Sequence, residues 1–525
     1  MKRLGLALAV LAAMFLSSLS AQANTFKYAF RIDANSLDPY ALAETFTLAF
    51  QGLFYEPLIG RGKQLEVVPA LATDWNTTAE DTWRFNLRPD VKFHDGSPFT
   101  ADDVIFSYER AQKEGSDVEY IVADIKEIRK VDDHTIDIVT RVPYPILPQR
   151  LTTWYIMSKA WAEKNGAQDP SSVKKDIQNY ATTHANGTGP FMIRSRQQDV
   201  STVLVPNPNW WGPVEHNLTE VVFTPIKSDA TRVAALLSGE VDMIYPVPIQ
   251  DVDRVNASSG VHVLQGPEMR IIFLHMDSSR DELLESSVKG KNPLKDVRVR
   301  KAIYQAIDTD AIREKVMRGA ATPAGIMVAE GVVGYDESLN DRFPHDPEAS
   351  KALLAEAGYG GGFELGMDCP NDRYVNDEKI CLAVVGMLAK VGIKVNLLAQ
   401  TRSKFFEKIQ SRNTSFALMG WQPLTYDAHS PLQAVISTPD KEEGSGTYNV
   451  GGYSHPAIDL LTKAIAVEID QGRRQRLISA ALLIHKHDFG HIPLHAQALA
   501  WGKKENVDLV QRADDSFDLR WVMVK

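Results

Sequence analysis

The sequence predicts an exported α/β protein that folds into two or three lobes. Three observations support this fold class. The first residues have the pattern of a secretion signal, and the rest of the chain is far longer than one domain needs. The middle third alternates helix and strand patterns, as βαβ units do. No internal repeat and no low-complexity linker interrupts the chain.

The secretion signal occupies residues 1–23. Lys2 and Arg3 precede an apolar run at 4–16, and 21–23 form a small-x-small cleavage site. We expect cleavage after Ala23 and a periplasmic chain that begins at Asn24. The alternative is an uncleaved anchor, but the run is shorter than the roughly 20 residues that span a bilayer. No Cys lies near the cut, so no lipid anchor is expected.

Composition narrows the function classes. The net charge of −10 argues against a nucleic-acid partner, because binding phosphates needs concentrated positive charge. A hydrophobic content of 44% is ordinary for a globular core. The only two cysteines are Cys369 and Cys381. In an oxidising compartment such a pair often forms a disulfide, and the alternative is two buried free thiols.

Residue patterns predict the main helices and strands. Alternating or continuous apolar runs predict strands at 25–29, 82–88, 125–128, 135–139, 191–193, 241–245, 270–274, 393–395 and 416–420. Helical spacing predicts helices at 42–58, 101–111, 232–237, 299–317, 348–357, 378–391, 458–467 and 474–485. Thr100, with Asp103 three residues later, is typical of a helix-capping box.

Several segments resemble family 5 of the bacterial extracellular solute-binding proteins, which includes periplasmic oligopeptide, dipeptide and nickel binders. The run 83–104 is similar to the signature of that family almost residue for residue. Further matches follow in the same order at 187–191, 207–211, 238–242, 296–303 and 491–495. Together they extend over nearly the whole mature chain.

The resemblance implies a two-lobed periplasmic binding protein fold with a hinge and an extra subdomain on the first lobe. Applied to this chain, the family fold places residues 24–268 and 489–525 in lobe I and residues 269–488 in lobe II. The extra subdomain of lobe I would hold about 56–185. The chain then crosses the hinge twice, and ligand closes the lobes. The signature run lies in the extra subdomain and receives no ligand role.

The resemblance also implies function. We expect the substrate-binding component of an ABC importer, capturing peptides or peptide-like solutes as a monomer without a cofactor or catalytic residues. Its expected partners are membrane permease subunits with separate ATPase subunits. Family alternatives are nickel or chelated metal, opines and oligosaccharides. A secreted hydrolase is the alternative from another class, but Ser172 and Lys175 give only a short Ser-x-x-Lys match, and no zinc, nucleophile-elbow or phosphate-loop motif occurs.

The loop at 420–429 follows a predicted strand and is rich in aromatic and polar groups, a common design for a binding site. The candidates for ligand contact in it are Trp421, Thr425, Tyr426, Asp427 and His429. In peptide binders of the family, an Asp after the Trp pairs with the ligand amine. That position falls on Leu424 or Thr425, so the acid is missing, and either Asp427 replaces it or the ligand has a blocked or absent amine. The alternative for Trp421 and Tyr426 is that they are core residues and do not contact the ligand.

A second candidate loop lies at 369–377. Arg373 resembles the arginine that takes the ligand carboxylate in dipeptide binders, and Tyr374 is its neighbour. Arg373 beside acidic residues is equally compatible with surface ion pairs. In the group His485, His487, His491 and His495, the last three have helical spacing, but Gly490 and Pro493 make a continuous helix unfavourable, so no metal site is predicted there.

Overall fold

The computed structural model describes residues 24–525. The predicted secretion signal at 1–23 lies outside the described residues. Within 24–525, no helix is both long enough and apolar enough to cross a membrane.

Residues 24–525 form nineteen strands and fifteen α-helices, numbered in chain order. The strands are β1 Thr25–Phe30, β2 Ile59–Arg61, β3 Val67–Pro69, β4 Ala72–Ala79, β5 Thr82–Leu87, β6 Ile125–Asp132, β7 Thr135–Thr140, β8 Phe191–Gln197, β9 Ser201–Pro206, β10 Glu220–Pro225, β11 Met243–Tyr245, β12 Val261–Met276, β13 Thr322–Pro323, β14 Phe363–Pro370, β15 Ile393–Gln400, β16 Phe416–Trp421, β17 Ile492–Lys504, β18 Val507–Asp508 and β19 Met523–Val524. The helices are α1 Thr45–Gln51, α2 Ala101–Ala111, α3 Glu119–Val122, α4 Leu147–Arg150, α5 Lys159–Lys164, α6 Asp229–Leu237, α7 Val252–Asn256, α8 Val297–Ala306, α9 Thr309–Ala311, α10 Pro347–Glu356, α11 Asp377–Ala389, α12 Arg402–Gln410, α13 His429–Pro431, α14 Pro456–Val467 and α15 Gln471–Asp488.

Two long antiparallel strands, β12 and β17, run through the middle of an eleven-stranded sheet. On one side of this pair the order is β11-β1-β10-β9-β8, which forms the sheet of the first lobe. On the other side it is β16-β14-β15, the sheet of the second lobe. The β12–β17 register shifts between Pro267 and Ile271, and such an irregularity lets the paired strands bend there.

Strand directions place a cleft between the lobes. In the first lobe, β1, β10 and β11 are mutually parallel, and β11 is antiparallel to β17. In the second, β14 is parallel to both β15 and β16, and β16 is antiparallel to β12. Because β12 and β17 cross in opposite directions, the carboxyl ends of both parallel sets point toward the other lobe. In open α/β sheets, ligands bind outside these ends.

A separate antiparallel sheet, β4-β5-β7-β6, lies beside the first lobe. Its own core contains Phe85, Phe93, Phe99 and Trp154, which are fully or almost fully buried. The predicted capping box at α2 is confirmed: Thr100 accepts from the backbone, and Asp103 accepts from the amide of Thr100 at 2.9 Å. The sheet and these four core residues fall inside the segment predicted as an extra subdomain, and Tyr40 of the same core lies outside it.

The helix predicted over 299–317 is wrong as a single element. Helix α8 ends at Ala306, and Ile307 is extended, with φ −96° and ψ 113°. The Asp308 carboxylate then accepts from the amide of Ala311 at 2.8 Å and starts a new helical turn. Apolar spacing continues through the break because Ile303, Ile307 and Ile312 all face the same core. The helix predicted over 42–58 is likewise shorter, confined to α1.

Candidate functional site in the interlobe cleft

A cavity lies between the two lobes. Its lining includes first-lobe residues between 45 and 61, part of the segment 512–520, and the side chains of Thr152, Thr153, Tyr155, Gln422, Pro423, Leu424 and Tyr426. Its enclosed volume is about 110 Å³, which is smaller than the roughly 300–1,000 Å³ that is usual for small-molecule sites.

Arg373 lies just beyond the carboxyl end of β14. Its guanidinium stands over the Tyr374 ring, 5.1 Å from the centroid, and has no hydrogen bond or carboxylate partner among the described residues. Burial, and next the like charge of Arg270, lower the pKa of Arg373. Its side chain is half-buried and does not line the cavity, and an unpaired guanidinium of this kind can receive an anion.

The loop that carries Arg373 is fixed from three directions. A disulfide joins Cys369 at the end of β14 to Cys381 in α11. The Asp377 carboxylate accepts from the amides of Arg373 at 2.9 Å and Tyr374 at 3.0 Å. The Tyr374 ring packs against Gly420, where a β-carbon would lie 2.8 Å from it. A short loop held in this way presents its side chains in one orientation.

A buried polar network occupies the hinge next to this loop. Glu268 accepts from Arg270 at 2.9 Å and from the amide of Gln497, and Arg270 also donates to the Gln422 side chain. Gln497 accepts from the amide of Val375 at 3.0 Å. The network therefore ties both crossing strands to the two loops of the second lobe that face the cleft.

Tyr426 connects the lobes directly. Its hydroxyl donates to Asp514 at 2.8 Å, and the Arg61 guanidinium lies 4.1 Å from the ring centroid. Burial, followed by the nearby Asp514 charge, raises its pKa. The residue has a left-handed φ of 57°, which is uncommon for a side chain of this size.

Trp421 is only partly buried but faces its own lobe. Its indole N–H donates to Ser430 at 3.2 Å, and its ring lies 4.9 Å from that of Tyr448. It packs against the apolar core of the second lobe and does not line the cavity. Leu424 does line the cavity and is 38% exposed. The loop therefore offers an apolar side chain to the cavity, not the predicted Trp421.

Asp427 is fully buried, and both of its oxygens are already occupied. It forms a bidentate ion pair with Arg474 at 2.7 and 2.8 Å and accepts from the amide of His429 at 2.8 Å. Taking it out of this pair would leave Arg474 buried and unpaired, which costs about 3–5 kcal/mol. In this structure the Asp427 carboxylate is therefore occupied by Arg474 and is not free for a ligand amine.

The two remaining candidates in this loop are also buried. Burial lowers the pKa of His429 to about 4, against the effect of the neighbouring Asp427, so its imidazole is neutral. The Thr425 hydroxyl has no hydrogen-bond partner among residues 24–525. Neither side chain lines the cavity.

Asp515 is a buried acid near Glu268 that the sequence analysis missed, and it does not line the cavity. It accepts from the Trp501 indole N–H at 2.9 Å. Burial, and next the charge of Glu268, raise its pKa to about 7. More than two hundred residues separate it from Glu268, so no local motif signals that the two acids meet.

The four histidines for which no metal site was predicted do not form one cluster. Helix α15 ends at Asp488, so the helical spacing does not continue. His485 hydrogen-bonds His491 at 2.9 Å, and His491 hydrogen-bonds His275 at 3.1 Å. His487 lies apart, against Phe343, and His495 is buried. In the described part of the chain, no three His, Cys, Asp or Glu side chains are arranged to hold a metal ion.

Two α/β lobes joined by crossing strands, with a cleft at the strand ends, define the periplasmic binding protein fold. The structure of HbpA2 from Haemophilus parasuis shares it with a TM-score of 0.81 and 23% identity, covering 96% of this chain and 100% of that one. The chain belongs to the bacterial extracellular solute-binding proteins of family 5, whose "family 5 Middle" description matches residues 66–443.

Curated relatives extend along almost the entire chain. The dipeptide-binding protein of Escherichia coli K12 is 26% identical, covering 93% of this chain and 91% of the relative. The glutathione-binding protein GsiB of the same strain is 25% identical, covering 96% and 95%. The likeness therefore includes both lobes and both crossings.

Proposed function

We propose that this protein captures a peptide or peptide-like solute in the periplasm by closing its two lobes, and delivers it to the permease of an ABC importer. Membership of the solute-binding family supports capture without catalysis. The proposed partners are membrane permease subunits with separate ATPase subunits, and the protein acts as a monomer. The dipeptide- and glutathione-binding relatives support a peptide-like solute.

The unpaired guanidinium of Arg373 is the observation on which this proposal depends. Its guanidinium is half-buried and has no carboxylate partner, so it can bind a ligand carboxylate. The disulfide and Asp377 fix the backbone of its loop at the strand end. A planar guanidinium binds a carboxylate through two parallel hydrogen bonds. Arg270 beside it is already paired with Glu268, so Arg373 is the cation that stays available.

The lobe boundaries also belong to this proposal. Residues 24–268 form the first lobe and 269 onward the second, since the first crossing lies at the register shift of β12. For the return crossing we propose 496–498 in place of 489, because Ile492 pairs with Leu274 and Ala498 pairs with Pro267.

Solute capture is tested on protein purified from the periplasm without denaturation. Mass spectrometry of the material released on denaturation identifies the solute, and calorimetry measures its affinity. Arg373→Gln should weaken binding by about 10- to 100-fold, since a hydrogen bond to a charged group contributes about 1.5–3 kcal/mol. Exposed Lys390→Gln on the same lobe is the matched control. Unchanged affinity in Arg373→Gln contradicts its role, and substrate turnover by the pure protein contradicts capture without catalysis.

A further inference from the structure

Two pairs of cations follow the strand ends on opposite sides of the cleft. In the first lobe, Arg31 and Lys227 follow β1 and β10, which lie together because Ile226 donates to the Phe30 carbonyl at 2.7 Å. In the second lobe, Arg373 and Arg402 follow β14 and β15. These are joined in the same way, since the amide of Asn371 donates to the Gln400 carbonyl at 2.9 Å.

None of these four cations has a carboxylate within 4.0 Å among residues 24–525. Of the neighbouring acids, Asp33 pairs with Arg196 at 3.0 Å, whereas Asp372 accepts from the backbone amide of Arg402 and keeps its own charge. In the loop opposite, Asp427 is held by Arg474. The strand ends therefore present positive charge in a protein whose net charge is −10.

Two contacts between the lobes lie near these strand ends, and none of the four cations lines either interlobe cavity. Gln250, which shortly follows β11, lines one cavity together with Asn376 and Lys379 of the second lobe. Arg318 of the second lobe lies 3.6 Å from Asp253 of the first. Closing the lobes further moves like charges toward each other, which is unfavourable unless an anion enters between them.

We propose that the solute carried in this cleft bears at least two anionic groups, one for the Arg31–Lys227 pair and one for the Arg373–Arg402 pair. The inference rests on the proposed function and specifies its ligand class. A dianion offsets the repulsion between the two pairs, so closure depends on it. The absence of a free acid for an amine at 424–427 fits the same class, because such a solute needs no amine anchor.

Matched peptides test the number of anions. Ala-Glu and Ala-Gln differ by one carboxylate, and their N-acetylated forms remove the amine. The dicarboxylates should raise the melting temperature of the purified protein, acetylated or not, and the Gln forms should raise it less or not at all. Their affinity should fall as the salt concentration rises, since salt screens exposed charges.

Variants locate the two anion contacts. Arg31→Gln and Arg402→Gln should each weaken the dicarboxylate by about 10- to 100-fold. Lys27→Gln on β1 and Lys404→Gln on α12 remove exposed cations on the same elements and should change affinity less than about twofold. The melting temperature of each ligand-free variant shows that folding is intact.

The outcomes separate this inference from the function beneath it. A neutral or cationic peptide that binds tightly, or equal responses to Ala-Glu and Ala-Gln, overturns the two-anion ligand and leaves solute capture standing. Unchanged dicarboxylate affinity in both arginine variants also overturns the two-anion ligand and leaves solute capture standing. A protein that releases no solute and responds to no peptide overturns both.

Discussion

The buried Asp427–Arg474 pair allows a stability measurement that distinguishes a structural role from a ligand role. Asp427→Asn keeps the shape of the side chain but removes the charge that compensates Arg474, which is almost fully buried. Breaking one side of a buried pair costs about 3–5 kcal/mol. For a lobe of this size each kcal/mol shifts the melting temperature by about 2–4 °C, so the second lobe should melt roughly 6–20 °C earlier.

Calorimetric unfolding measures the shift, and exposed Glu442→Gln in the same lobe is the control, with no change expected. A double variant, Asp427→Leu with Arg474→Met, should recover part of the loss because it removes both charges from the interior. Below its melting temperature, Asp427→Asn should bind solute as the wild type does. Normal stability combined with lost affinity would show that Asp427 contacts the ligand and that the ion pair is dispensable.

Three further measurements test other features. Thiol titration of unreduced, denatured protein should find no free thiol, and replacing Cys369 and Cys381 with Ser should cost about 2–4 kcal/mol of unfolding free energy; two titratable thiols would contradict the bridge. The raised pKa of Asp515, about 7 against 3.8, means that the folded chain retains a proton that the unfolded chain loses. Stability should therefore fall as pH rises from about 4 to 7, and Asp515→Asn should flatten this slope; an identical slope in the variant would refute it. N-terminal sequencing of periplasmic protein should begin at Asn24, and an intact chain in the inner membrane would contradict cleavage.

Local patterns predicted much of the fold because their causes are local. The capping box at Thr100 needs only residues within one helical turn, and the strand at 82–88 shows its alternation directly. The interrupted helix at 299–317 was missed because its apolar spacing is continuous while the break comes from the Asp308 side chain. Apolar spacing shows which face of a helix is buried, but it does not show where a single polar group ends the helix.

The site was harder to predict because its contacts are distant in sequence. Arg373 was identified through family resemblance, and the structure then shows that it has no carboxylate partner. Asp427 was predicted to contact the ligand because its ion pair with Arg474 has no local sign in the sequence. Arg474 lies 47 residues further along the chain. Tyr426 meets Asp514 across 88 residues, so its interlobe role has no local signal. Charge type can be read from sequence, but whether a charge is already neutralised depends on the fold.

The position of β17 has a consequence for biosynthesis. This strand pairs with β12 along its length and also with β11 and β13, yet it is made from residues 492–504. Neither lobe has a complete sheet until those residues have left the ribosome. An N-terminal lobe therefore cannot finish folding first, as domains commonly do during synthesis. The separate sheet β4-β5-β7-β6 does not need this strand, whereas the sheets of both lobes stay incomplete until synthesis is nearly over.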